Sequence, residues 1–186
     1  MEYIPLWNPP ILHQGAFYCV DYNGLIGTFN LEDNTWKVHG APLIGSYEDK
    51  YPYPSFLVKS GEDLILVKLG SQENLVRTYK LNFPVMVWVE VESLGKRTLF
   101  ISHTSCVSAI APNNEMENKI YFPRLCLKGE GILFYSLETG RYDSFGDQHS
   151  SKSLYETEGW RENCTWIEPS WTKFTPQDLN WFEPPL

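Results

Sequence analysis

The sequence predicts an all-β protein: an antiparallel meander of about three kelch-like propeller blades, a partial β-propeller, ending in a short C-terminal helix. Three observations carry this. Aromatics make up 15% of the 186 residues, including 7 Trp, 11 Tyr and 10 Phe, and aromatic and β-branched side chains favour a pleated, half-buried surface. Short alternating segments recur at roughly 8–12-residue spacing with turn residues between them. One local pattern also repeats at a period close to the ~50 residues of a kelch-type blade.

In chain order, residues 1–14 form an N-terminal extension. Phe17–Asp21 and Leu25–Leu31 flank Tyr22-Asn23-Gly24, and Asn-Gly is the strongest short hairpin signal. Ser55–Lys59 and Leu64–Leu69 flank the turn Ser60-Gly61-Glu62-Asp63. Leu75–Leu81, Val87–Leu94, Leu99–His103, Val107–Ile110, Lys119–Phe122, Ile132–Leu137 and Tyr142–Phe145 follow. Residues 146–163 are polar and read as a loop. Cys164–Ile167 reads as one more short strand, stopped by Pro169. In the tail, residues 171–186, Thr175-Pro176-Gln177-Asp178 has the form of a helix start: a Thr cap, Pro at the first position and an acid in the first turn. The propeller domain is expected over residues 15–170.

The repeat is read from three stretches: Thr28 to Trp36, Thr78 to Trp88 and Phe134 to Tyr142. Each runs aromatic, polar, Leu, acid or Asn, turn, then a closing Trp or Tyr. The closing positions 36, 88 and 142 differ by 52 and 54 residues. A blade has two apolar faces and cannot bury them alone, so a large aromatic opening its outer strand packs on the next blade. Within Val87–Leu94, alternation puts Val87, Val89 and Val91 on one face and Trp88, Glu90 and Glu92 on the other. The valine face is expected in the inter-blade core and the mixed face near water. Leu94-Gly95 then turns the chain from one blade to the next, and Leu99 opens the innermost strand of that next blade.

The charge of -8 repels phosphate backbones and argues against nucleic-acid or anionic-membrane partners. The start, Met1 to Pro10, lacks a signal peptide's basic and apolar regions, and no run approaches the ~20 apolar residues of a membrane span. A cytoplasmic or nuclear protein is expected. Cys19, Cys106, Cys126 and Cys164 lie far apart and read as reduced thiols packed as small hydrophobes.

No chemistry-bearing pattern stands out, and neither a catalytic nor a cofactor or metal site is expected. His103 and Ser105 could join a distant Asp, but no GxSxG elbow surrounds a Ser. Cys106 near His103 allows a Cys/His nucleophile, yet it sits in the apolar stretch Ser105 to Ile110, where burial raises a thiol pKa. His13, His39, His103 and His149 show no metal-ligand spacing. The runs at Glu115, Glu117 and Asn118, at Glu32-Asp33-Asn34 and at Glu138-Thr139-Gly140 read as turns; their alternative is an acidic recognition rim. Trp160, Trp166, Trp171 and Trp181 either pack over the blades or form a binding epitope.

Trp88 through Phe100 (WVEVESLGKRTLF), then SCVSAIAP at 105–112 and ENKIYF at 117–122, resembles the plant F-box-associated, KIB-type β-propeller family. GAFYCVDYNG at 15–24 and CTWIEPS at 164–170 are similar to other parts of that family. The residues that carry the resemblance are Trp36, Trp88, Leu94, Gly95, Leu99, Phe100, Asn118, Ile120, Tyr121, Phe122, Trp166 and Pro169, all in architectural roles. It implies a non-enzymatic module that recognises a protein partner or substrate in a ubiquitin-ligase pathway. Residues 1–14 are too few for an F-box, so docking to the cullin-ligase adaptor is not expected. The alternatives are an enzyme, hydrolase or lyase, with its site at the propeller face, and a shortened, non-functional remnant. A stack of about three blades leaves apolar faces and a strand edge open. It is expected to self-associate unless the tail tryptophans cover the open face.

Overall fold

The computed structural model describes Tyr3 and residues 8–21, 23–40, 54–70, 76–125, 132–144 and 165–167. Thirteen strands in this set form three sheets. The first holds β1 (Ile11–His13), β2 (Ala16–Val20), β3 (Ile26–Asn30) and β4 (Trp36–His39), paired in chain order. The second, also in chain order, holds β5 (Ser55–Ser60), β6 (Asp63–Leu69), β7 (Val76–Asn82) and β8 (Val87–Val91). The third holds β9 (Arg97–Ile101), β10 (Cys106–Ile110), β11 (Lys119–Leu125), β12 (Ile132–Ser136) and β13 (Arg141–Ser144), in the order β10-β9-β11-β12-β13.

The expected all-β blade stack is present. As expected, β8 and β9 lie in different sheets, so Leu94-Gly95 is a crossing and not a hairpin. The third sheet departs from a simple meander. β9 pairs in parallel with β11, Leu99 opposite Ile120 and Phe100 opposite Tyr121. Leu99 therefore does not open the innermost strand; β10, later in the chain, holds that edge and lies beside β5. Ser60 Oγ and Ser108 Oγ meet there at 2.8 Å. The cause is the tight β9–β10 turn. Ser102 Oγ accepts the Ser105 N–H at 3.0 Å and donates to the Ser105 carbonyl at 2.8 Å, folding β10 back on the side facing β5.

The β2–β3 turn falls where Asn23-Gly24 marked it, with Gly24 at φ +87. Its anchor is Asp21. This fully buried carboxylate accepts the N–H groups of Asn23 at 2.8 Å and Leu25 at 2.7 Å. A buried acid is tolerated because the backbone satisfies it.

The middle sheet is buried on both faces, and period-2 alternation divides its side chains. Phe56, Val58, Ile65 and Val67 pack against Leu99, Ile101, Ile120, Phe122, Leu133 and Tyr135 of the third sheet. Leu57, Leu64, Leu66, Tyr79 and Leu81 pack against Val20 and Ile26 of the first. The expectation for β8 is reversed. Trp88 packs into the layer between first and second sheets, its Nε1–H donating to the Gly24 carbonyl at 2.8 Å. The valine face is the one near water. β8 is the edge strand of its sheet, and among the described residues the β2–β3 turn reaches over its Trp88 side.

Residues 165–167 of the expected last strand carry no ladder. The expected C-terminal helix and Pro169 lie outside the described residues.

Candidate interaction surfaces

Several residues carrying the family resemblance converge on one junction. Asn118 has a left-handed backbone, φ +58, which Asn tolerates better than most residues. Its Oδ1 accepts the Leu94 N–H at 2.8 Å, its own N–H donates to the Arg97 carbonyl at 2.9 Å, and its carbonyl accepts the Leu137 N–H at 3.1 Å. Asn118 thus ties the crossing, β9 and the β12–β13 turn together. Gly95, φ +61, has open space around its α-carbon, so glycine serves conformation there and not packing. Leu99, Ile120 and Phe122 are buried toward the second sheet; Phe100 and Tyr121 face the other way.

The aromatic repeat marks the same face of every sheet. Tyr135 and Tyr142, opposite one another on β12 and β13 and 5.0 Å apart, are buried against the second sheet. Tyr79, Leu81 and Trp88 are turned toward the first. In the first sheet the corresponding pair is Phe29 opposite Trp36. These face away from Ile26 and the core, toward the outside of the stack. The pairings Leu12–Phe17 and Gly27–Val38 put Leu12, Phe17 and Val38 on this same outer face. Leu12, Trp36 and Val38 are 49%, 47% and 46% exposed. Of the described residues beyond the sheet, Tyr3 lies on it, its ring edge-on to Trp36 at 5.4 Å. Gly27 makes room: a Cβ there would lie 2.3 Å from the Trp36 indole and 2.6 Å from the Tyr3 hydroxyl. Burial raises the Tyr3 phenol and the neighbouring Cys19 thiol above their ordinary pKa ranges. Gly27 and Tyr3 were not singled out from the sequence. A glycine inside a strand pattern is the signal that marked Gly27; nothing local marked Tyr3.

The outer face of the third sheet is covered. Phe100 stacks on Tyr121 at 5.0 Å, and Tyr121 meets Phe134 at 5.5 Å. Trp166 packs over Phe100 at 5.1 Å and donates its Nε1–H to the Ile101 carbonyl at 3.1 Å. Ser105 anchors this cap, its Oγ accepting the Trp166 N–H at 2.6 Å.

A third surface is the valine face of β8. Val87 and Val89 are 38% and 48% exposed along a strand that, among the described residues, is paired on one side, and Val85 in the preceding turn is 61% exposed. Glu90, exposed on the strand's other face, lies 3.9 Å from Arg77, an ion pair of little energetic weight at such exposure.

The candidate chemical groups are dispersed or engaged. Ser105 Oγ is held in the Trp166 cap, and His103 lies against Phe56 at 5.6 Å. Burial pushes the Cys106 thiol up to about 11, the opposite of nucleophile activation. His13 is buried, stacked on Phe83 at 5.0 Å, while His39 Nε2 lies 2.8 Å from Thr28 Oγ1. His149 lies outside the described residues. Among the described residues, no three His, Cys, Asp or Glu side chains converge as a metal site would require, and no helix is long and apolar enough to cross a membrane.

Residues 6–165 match the family model described as KIB1-4 beta-propeller. The chain is 27% identical over 170 residues to an F-box/kelch-repeat protein of Arabidopsis thaliana, covering 87% of this chain and 45% of that protein. A provisionally named F-box protein of the same plant is 32% identical over 146 residues, 70% of this chain and 39% of its own length. An F-box protein from that plant is 27% identical over 124 residues, covering 60% and 38%. The chain spans less than half the length of these relatives.

Proposed function

This chain belongs to the KIB1-4 beta-propeller family, and on that premise we propose that it is a non-catalytic protein-interaction module. It presents a blade surface to a partner or target protein in a ubiquitin-ligase pathway, in the cytoplasm or nucleus. The F-box names of its relatives support the pathway. Docking to the ligase adaptor is not part of the proposal.

The observation that carries the reading is the valine face of β8. A perimeter strand with two exposed valines, and an edge unpaired among the described residues, is costly to leave open and suited to a partner's extended strand. Backbone hydrogen bonds would supply affinity, and alternate side chains against the valines would supply selectivity. The acidic flank, Glu90 and Glu92, favours a partner segment carrying Lys or Arg. The test compares the intact chain with a Val87→Lys/Val89→Lys variant in affinity capture from plant extract. Proteins recovered by the intact chain and depleted about tenfold by the variant are expected, the scale of losing one or two apolar contacts. Equal recovery by both, no recovery by either, or turnover of small ester or glycoside substrates by the purified chain contradicts the proposal.

A further inference from the structure

The core between the second and third sheets ends in polar groups. Alternation carries Phe56 and Val58 on to Ser60 in β5, and Leu99 and Ile101 back to Arg97 in β9. Arg97 Nη1 donates to Ser108 Oγ at 3.2 Å, and Ser108 Oγ lies 2.8 Å from Ser60 Oγ. Ser60 is buried; Arg97 and Ser108 are partly exposed. The turn after Ser60 leaves the guanidinium uncovered, because a Cβ on Gly61 would lie 3.0 Å from Arg97 Nη2. The arginine backbone is pinned. Its N–H donates to the Leu94 carbonyl at 3.3 Å, and its carbonyl accepts the Asn118 N–H at 2.9 Å.

This cluster has donors to spare. A guanidinium carries several N–H donors and no acceptor, and the Ser108 bond uses one of them. The two serine hydroxyls share one hydrogen bond, which leaves the other O–H free. The ion pairs among the described residues are Arg77–Glu90 and Lys80–Asp63, so Arg97 has no acidic partner there; Glu62, exposed in the adjacent turn, forms none with it. One cation in a chain of net charge -8 balances a single negative charge, not a phosphate dianion. The planar fork of a guanidinium matches a carboxylate. Beside it, Ile110, opposite Arg97 on β10, is 72% exposed, an apolar shoulder for the group that carries the acid. We propose that Arg97, Ser108 and Ser60 form a binding site for a carboxylate borne on an apolar body.

The test follows the Arg97 Nε–H resonance of the isotope-labelled intact chain, identified by its loss in an Arg97→Lys variant. The chain is titrated with butyrate or with the blocked peptide acetyl-Leu-Glu-Leu-amide. A saturable shift with a Kd on the order of millimolar is expected, with butyramide inert. Tighter binding of the peptide assigns the site to an acidic side chain of a protein partner; tighter binding of butyrate assigns it to a free acid. Ser108→Ala, which keeps the charge, should weaken binding several-fold. Arg97→Lys, which loses the fork, should weaken it about tenfold, read at the Gly61 and Ser108 amides. No saturable shift with either probe, an equal response to butyramide, or unchanged affinity in both variants would overturn the proposal. Failure here would leave the β8 reading standing, because Val87 and Val89 take no part in this cluster.

Discussion

At one end of the stack, Tyr121 and Phe134 are 2% and 7% exposed, and Phe100 lies beneath Trp166. At the other end, Leu12, Trp36 and Val38 stand about half exposed beside Tyr3. Both faces are aromatic and both come from ordinary alternating strands. The difference lies in what the rest of the chain brings to each. A residue pattern that says "inter-sheet face" specifies the need for a cover without specifying the cover. The same closing aromatic is core as Tyr142 and surface as Trp36.

The interior junction sets the scale for comparing the two ends. Asn118→Ala leaves the partly buried Leu94 N–H without its acceptor and puts Ala, which tolerates the left-handed region less well than Asn, at φ +58. The expected cost is about 3 kcal/mol by urea denaturation. Asn118→Gly should recover about 1 kcal/mol of that, the backbone share alone. At the covered end, Trp166→Ala removes a half-buried indole and its hydrogen bond to Ile101, for about 2–3 kcal/mol and a Tm lower by roughly 5–10 °C. At the other end, Trp36→Ala should cost only about 1 kcal/mol, mainly its contact with Tyr3 and any occupant of the face. Equal losses at the two tryptophans would erase the distinction between the ends.

The effect that is smallest at neutral pH is a pH dependence belonging to the third sheet. Burial raises the Cys106 thiol from the ordinary 9.0 to about 11. The neutral thiol is favoured in the fold, so its contribution is fully present below about pH 9 and is lost as pH rises toward about 11. Urea midpoints across that window should fall less steeply for Cys106→Ala than for the parent; parallel slopes would count against the buried assignment.

Much of the fold was legible from sequence because its signals are local. Asn23-Gly24 marked a turn, alternation marked the strands, and the spacing of Trp36, Trp88 and Tyr142 marked the outer strands of three sheets. Leu94-Gly95 was legible as a turn, but Asn118, twenty-four residues beyond Leu94 and the acceptor of its N–H, was legible only as part of a motif. What failed was non-local. β1 is three residues long after two prolines, below the length at which alternation shows. The place of β10 at the inner edge depends on a serine-built turn that has no hydrophobic period. The two faces of β8 were assigned the wrong way round because valine reads as more buried than a strand flanked by glutamates. Which face is covered depends on the neighbouring sheet's turn, and no residue of β8 reports that.

Hydroxyl-radical footprinting of the intact chain, read residue by residue against a Trp166→Ala variant, tests most directly the claim that the two ends differ in their cover. Corrected for intrinsic reactivity, Leu12, Trp36 and Val38 should label several-fold more than Tyr121 and Phe134 in the parent, and labelling of Phe100 should rise several-fold in the variant. Unchanged labelling at Phe100 in the variant, or equal reactivity of the two faces in the parent, would contradict the account.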